Sequence, residues 1–431
     1  MMAGDEASRK RDLLGFLDAG VTPYHAVRET VRRLEAAAFT RLDDAAAWQL
    51  GALDRRFVIK NETTIVAFHV GEASPAEAGF MMIGAHTDSP VLRLKPNAAY
   101  AQNGYRQLGV EVYGGVLLST WADRDLSVAG RLTIARDRRV ESVLVDLALP
   151  VARVPSLAIH LNRDVNKAGL VLDPQKHLPP IIALDGEPNA LLERAAQGAN
   201  VKVDDVLGFD LSLYDTQKAS IGGLEGELIA SARLDNLASC HAAVSALIDA
   251  SITRTRTTKL IVLYDHEEVG SRSAQGAEGP FLRQTLERIV DATGNARQGM
   301  ARAMSQSFLI SADMAHAIHP NHADKHEPKH SPVIGKGPVI KTNANQSYAS
   351  DGSSSARFTL CCKESGFSPQ QFVIRTDLPC GSTIGPITAA ALGVRTVDVG
   401  NPMLAMHSIR ETAGVADAEL MYKALVTSYS L

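Results

Sequence analysis

Apolar residues change period several times along the chain. Leu13, Leu14, Phe16 and Leu17 recur at helical spacing until Gly20 stops the run. Thr22-Pro23 then opens a second helix, with Thr22 as N-cap and Pro23 at the first helical position, running to about Ala38. Residues 63–70 alternate with β-branched side chains, and 80–84 (FMMIG) is short and apolar throughout, as a strand buried on both faces must be. The segments 259–264 (KLIVLY), 308–310, 372–374 and 394–399 repeat that grammar. Between and after them the helical period predicts helices over 236–250, 280–291, 387–392 and 417–427. This alternation predicts an α/β fold with a mostly parallel central sheet flanked by helices.

From about Leu92 to Leu228 turn residues are dense and apolar runs short: 110–113, 132–135, 140–145 and 157–161. The stretch reads as a β-rich domain, 92–231, inserted into a discontinuous domain formed by 1–91 and 232–431. Helical periodicity resumes near Ser231.

The 431 residues are 45% hydrophobic and 21% charged, enough apolar material for a large core. A net charge of −4 points to neither nucleic acid nor an anionic membrane as partner. No apolar run is long enough to span a bilayer, and the polar start, Met1 to Lys10, lacks the apolar core of a secretion signal. Four cysteines (Cys240, Cys361, Cys362, Cys380) show no CxxC spacing, and the adjacent pair reads as buried thiols. The expectation is a soluble, reduced, cytoplasmic protein.

What ends each core strand carries the chemistry. One strand runs into His86-Thr-Asp88, another into Asp265-His266-Glu267-Glu268, a third into Asp313, and a fourth, across Gly400-Asn-Pro402, towards His407. Asp235 opens a helix where the inserted segment rejoins. Ligands collect outside the carboxyl ends of strands in open α/β sheets. Two His and three carboxylates form an N,O set suited to Zn²⁺, Mn²⁺ or Co²⁺, and five donors fit a pair of ions sharing one carboxylate. His86-x-Asp88 matches a ligating imidazole steered by a carboxylate. Of the adjacent Glu267 and Glu268, one can bind metal while the other stays free as general base.

Other chemistries fail on spacing. His266-Glu-Glu-Val-Gly270 lacks the second His of a helical zincin, Gly335-Lys-Gly337 is no phosphate loop, and Gly352-Ser-Ser-Ser-Ala356 reads as a serine-rich turn rather than a nucleophile elbow. Five histidines at 316, 319, 322, 326 and 330 lie among Pro320, Asn321, Asp324 and Pro328 and read as a solvated loop.

At these residues the chain resembles the aspartyl aminopeptidase family of dinuclear zinc exopeptidases. The matching stretches are Gly84-Ala-His-Thr-Asp-Ser-Pro90, Arg233-Leu-Asp-Asn236, Asp265-His-Glu-Glu-Val-Gly-Ser271, Ser311-Ala-Asp-Met-Ala-His316, Gly337-Pro-Val-Ile-Lys-Thr-Asn343, Gly381-Ser-Thr-Ile-Gly-Pro386 and Met406-His-Ser-Ile-Arg-Glu411. They span most of the chain. The resemblance implies two zinc ions per subunit bridged by Asp235, one completed by His86 and Asp313, the other by Glu268 and His407. It implies Glu267 as general base, Asp88 as partner of His86, and a zinc-exopeptidase-like catalytic domain with the inserted domain driving oligomerisation. Leu157-Ala-Ile-His-Leu-Asn-Arg163 resembles the loop whose His enters a neighbouring subunit's site, which makes His160 a candidate for binding substrate or the tetrahedral intermediate. Lys341 resembles the lysine that meets an acidic first residue, and Tyr348 falls in the same substrate region. Ser347 and His322 depart from the family's usual Arg and Tyr there.

The implied activity is hydrolysis of the first peptide bond from a free N-terminus, preferably after Asp or Glu, by a tetrahedral dodecamer. The rivals are a broad-specificity dinuclear aminopeptidase or amidohydrolase and, outside enzymes, a non-catalytic self-assembling or peptide-binding protein.

Overall fold

The short apolar runs come together in one nine-stranded sheet in the computed structural model of the chain, which describes residues 3–185, 190–294 and 298–431. At its centre Thr258–Tyr264, Phe80–His86, Phe308–Ala312 and Arg395–Gly400 lie side by side and parallel. Thr64–His69 and Val339–Lys341 flank this block antiparallel to it. Strict alternation splits the side chains between two cores. Ile65, Ala67, Met81, Ile83, Ile261 and Leu263 face one layer, packed with Phe16 and Leu17 of Ala3–Ala19, Val27 and Leu34 of Pro23–Ala36, Leu237 and Leu247 of Leu234–Ala250, and Leu425 of Val415–Ser428. Val66, Phe68, Phe80, Met82, Leu260 and Val262 face the other, against Leu286 of Phe281–Ala292, Ala303 of Gly299–Gln306 and Ile384 of Ile384–Leu392. Burial on both faces is why the middles of Phe80–His86 and Thr258–Tyr264 are continuously apolar, while Arg395–Gly400 carries the buried Thr396 and Asp398, the latter satisfied by Thr383 Oγ1 and Ala349 N.

A six-stranded antiparallel sheet takes its strands from residues 91–215 alone: Arg139–Asp146, Leu126–Arg136, Val206–Asp215, Val91–Gln102, Tyr105–Tyr113 and Ile181–Ala183, in that order. It has its own core, with Leu92, Leu108, Val128, Leu132 and Leu213 at its centre. A five-stranded sheet joins Ser220–Gly222 and Leu228–Ser231 to Glu411–Gly414, Pro402–Leu404 and Ala315–His316.

Four local expectations are corrected. Thr22 does precede the helix Pro23–Ala36, but its hydroxyl bonds the His25 imidazole (2.7 Å) instead of a backbone N–H, because the buried ring competes for it. Residues 157–161 form no strand: Leu157 (61% exposed) and Leu161 (75%) face solvent and only a 3₁₀ turn, Ile159–Leu161, forms, since no neighbouring strand offers a ladder. The strand expected at 372–374 lies at Gln370–Phe372. The serine-rich segment is the first turn of a helix, Gly352–Glu364, closed by a capping box in which Asp351 accepts from Ser354 N and Ser354 Oγ accepts from Asp351 N.

Candidate active site

The parallel strands deliver their polar ends to one edge of the sheet. His86 is the last residue of Phe80–His86, and Asp313 follows Phe308–Ala312 directly. Beyond Thr258–Tyr264 the backbone turns through His266 at φ +62° into the 3₁₀ turn Glu267–Val269. His407 itself sits at φ +67°, past the strand Pro402–Leu404, and Asp235 lies in the first turn of Leu234–Ala250. Left-handed backbone at non-glycine residues costs about 1–3 kcal/mol each and recurs where a side chain must be aimed. These residues line a cavity of ≈ 400 Å³ that also takes in His316, Lys341, Tyr348 and Thr383.

Asp235 stands between the two imidazoles. His86 Nε2 is 3.4 Å from its Oδ1 and 3.6 Å from Asp313 Oδ1. His407 Nε2 is 3.5 Å from Asp235 Oδ2 and 3.4 Å from Glu268 Oε2. Three donor groups, each within 4.8 Å, could hold an ion: His86–Asp235–Asp313, Asp235–Glu268–His407 and His86–Glu267–Glu268. Buried Asp235 Oδ1 and Glu268 Oε1 have no hydrogen-bond partner among the described residues, the condition of an oxygen that needs a cation.

The electrostatics agree. Burial, reinforced by the neighbouring carboxylates, pushes Glu267 up to about 8 and Glu268 well above the usual carboxylate range, although His86 opposes both shifts. Burial should lower His86, yet Asp235, Asp313 and Asp88 raise it well above 6.5, and Asp235 likewise raises His407. Asp235 itself is held low against burial by those two imidazoles. Left to itself the cluster gathers protons; bound cations would supply the same positive charge.

A second layer holds these groups. Asp88, held low against burial by His86 and Tyr113, accepts from the backbone N–H of Glu267 (3.2 Å) and Glu268 (3.1 Å), and His86 Nδ1 lies 3.4 Å from its Oδ1. Buried Glu411 accepts from the backbone N–H of Asp235 (3.1 Å) and His407 (2.7 Å), and the Cys240 thiol donates to the His86 carbonyl (2.9 Å). No spacing in the sequence marks Glu411 or Tyr113 as part of the site. Glu411 ends the stretch Met406-His-Ser-Ile-Arg-Glu411, but its partners are main-chain groups, which no residue type announces.

Lys341 is inside this cavity, 2% exposed. Its Nζ donates to Met314 O (3.1 Å), lies 3.4 Å from Asp313 Oδ2 and sits 5.1 Å from the Tyr348 ring centroid. His160 is not brought there; it sits in the exposed turn Ile159–Leu161. His322 is exposed and Ser347 half-buried. His316 packs edge-on against Phe372 at the cavity, while the remaining loop histidines bond within their own segment: His326 Nε2 accepts from His319 N, and His330 Nδ1 meets Glu327 Oε2. None of the three donor groups includes a histidine from 316–330.

The family described as Aminopeptidase I zinc metalloprotease (M18) matches residues 16–429. A "Probable M18 family aminopeptidase 2" of Ectopseudomonas mendocina (strain ymp) is 50% identical over 424 residues, 97% of either chain. That of Pseudomonas syringae pv. syringae (strain B728a) is 48% identical over 430 residues, 98% of either. Among solved structures, the cryo-EM structure of the Ape4 and Nbr1 complex contains a chain with a TM-score of 0.95 and 37% identity, covering 99% of this chain and 85% of that one. A chain of the S. cerevisiae mApe1 dodecamer gives a TM-score of 0.86 and 30% identity, covering 98% of this chain and 96% of that one. With the α/β fold and a cavity rich in zinc-type donors already in place, these likenesses show that the chain belongs to the M18 family of aminopeptidases, the hydrolases that are zinc metallopeptidases.

Proposed function

We propose that the protein removes an N-terminal Asp or Glu from peptides with two zinc ions, one held by His86, Asp235 and Asp313 and the other by Asp235, Glu268 and His407. The observation that carries this reading is Asp235, which turns one oxygen towards each imidazole Nε2, at 3.4 and 3.5 Å. Zinc, when bound, polarises the scissile carbonyl and lowers the pKa of water towards about 7. Glu267 lies outside these two triads, belongs only to the third donor group, with His86 and Glu268, and lines the cavity. Its carboxylate takes the proton of the attacking water and returns it to the leaving amine, a two-way task suited to a group tuned near working pH. Asp88 keeps the His86 ring oriented through its carbonyl oxygen, 3.0 Å from Nδ1, and its carboxylate holds the Glu267–Glu268 turn through that turn's two N–H groups. The substrate's α-amine meets the carboxylates at the cavity wall, which restricts cleavage to the first bond.

Lys341 and Tyr348 favour the acidic side chain. Lys341 is a buried cation whose nearest carboxylate, Asp313, commits its charge to a metal ion, leaving the ammonium for a carboxylate of the substrate. Residues 1–91 and 232–431 form the catalytic domain and the six-stranded sheet within 91–215 the oligomerisation domain; the expected return at Ser231 falls late, because Ser220–Gly222 and Leu228–Ser231 already pair into the sheet of Glu411–Gly414. His160 belongs to an exposed apolar stretch with Leu157, Ile159 (45% exposed), Leu161 and Val171 (83%), the type of surface that a second copy covers. There it reaches a neighbour's cavity in a dodecamer, the state in which mApe1 was solved.

The test combines metal content with turnover of Asp-, Glu- and Leu-initiated peptides before and after chelation. Two zinc ions per chain, loss of activity on their removal and slower cleavage of the Leu peptide are expected. Glu267→Gln keeps both ions and lowers kcat by about 10²–10⁴-fold. Wild-type turnover in that variant would rule out Glu267 as the base, and equal cleavage of all three peptides would favour a broad aminopeptidase.

A further inference from the structure

The turn that leaves strand Tyr105–Tyr113 of the six-stranded sheet touches both halves of the ligand cluster. The Tyr113 hydroxyl donates to Asp88 Oδ2 at 2.7 Å, and that carboxylate is the one that holds Glu267 N and Glu268 N, while His86 Nδ1 lies 3.4 Å from its Oδ1 and 3.0 Å from the carbonyl oxygen of the same residue. The phenol ring is itself fixed, with the Arg93 guanidinium 5.6 Å over its face and the His266 ring 6.3 Å away. Two residues on, Gly115 O lies 3.0 Å from His407 Nδ1, and Leu117 N donates to His407 O at 3.1 Å. An imidazole that gives its Nδ1–H to a carbonyl presents a bare Nε2, and Nε2 is the atom facing Asp235 and Glu268.

The passage is too tight for side chains. Gly114 has φ +73°, and a Cβ there would lie 3.1 Å from Glu268 Cβ; a Cβ on Gly115 would lie 3.0 Å from His407 Nδ1. Twin glycines at a strand end therefore mark a close backbone approach to both a carboxylate and an imidazole of one triad.

We propose that Tyr113-Gly114-Gly115 is a positioning element for the metal ligands, Tyr113 acting through Asp88 and Gly115 directly on His407; this rests on the ligand assignment above. None of the three residues touches the reacting atoms. Their effect is to let the six-stranded sheet set the aim of donors on both sides of Asp235, so that displacement of that sheet disturbs both ions together.

The experiment measures zinc affinity by chelator competition, kcat and KM separately, and thermal unfolding, for wild type, Tyr113→Phe and Gly115→Ala, with Glu268→Ala as a control that removes a ligand outright. Substitutions in the layer behind metal ligands typically cost about 10–100-fold in affinity or activity. Tyr113→Phe is expected to fold, to bind zinc about tenfold more weakly and to lose kcat with KM near wild type; Gly115→Ala should follow it. Wild-type zinc affinity in both variants overturns the proposal, and so does a lowered melting temperature as their only change. If Glu268→Ala also binds zinc as tightly as wild type, the ligand assignment itself falls, a result separable from failure of the positioning element alone.

Discussion

His25, buried in the second helix, keeps Nδ1 on the Thr22 hydroxyl and leaves Nε2 without a partner among the described residues. Burial, with Arg28 adding to it, pushes its imidazole down to about 4, and burial with Lys259 does the same to His69. On unfolding both return to about 6.5, so between those values the unfolded chain binds protons that the folded chain refuses. The stability they contribute is fully present above about 6.5 and is lost as pH falls towards 4, on the order of 3 kcal/mol for His25. Denaturant midpoints should therefore drop between pH 7 and pH 5, and His25→Gln should flatten that slope; an unchanged slope would remove His25 from the account. The same residue scale separates what spacing could reveal at the site from what it could not. His86 ends an apolar strand, Asp313 follows one directly, and Glu267 and Glu268 come within four residues of one, where a polar residue is conspicuous. Tyr113 acts on a carboxylate 25 residues away and Glu411 on two backbone N–H groups, one of them, at Asp235, 176 residues away, and no residue type beside them in sequence signals it.

Among elements, the buried strands were legible because burial on two faces leaves a continuous apolar run. Two segments misled for opposite reasons. Residues 157–161 carry apolar side chains that this chain does not bury, so composition mimicked a strand. Residues 352–356 are rich in serine, a turn former, yet Asp351-x-x-Ser354 is a reciprocal cap that starts the helix Gly352–Glu364, whose Phe358 and Cys362 enter the core. Asp351→Ala should cost about 1 kcal/mol in urea denaturation without altering zinc content. A change below a few tenths of that would show that tertiary packing alone holds the helix.

For the whole molecule, the exposed apolar loop and the separate six-stranded sheet bear on assembly. Light scattering should return a mass many times 46.1 kDa, and Leu161→Asp combined with Val171→Asp should lower both that mass and turnover if the proposed reach of His160 into a neighbour's cavity is right. A fully active particle of one chain's mass would overturn this reading. Among the described residues no helix is long and apolar enough to cross a bilayer. Local patterning along the sequence was sufficient for the layered α/β arrangement, the buried strands and the types of donor at their ends, because hydrophobic periodicity and ligand chemistry are properties of neighbouring residues. Only the folded chain decided that Asp235 lies between His86 and His407, that Lys341 is sealed beside Asp313, and that a turn from another sheet grips both sides of the cluster. Those relations depend on strand register and on the meeting of segments that lie from 25 to 292 residues apart, which tertiary packing alone determines.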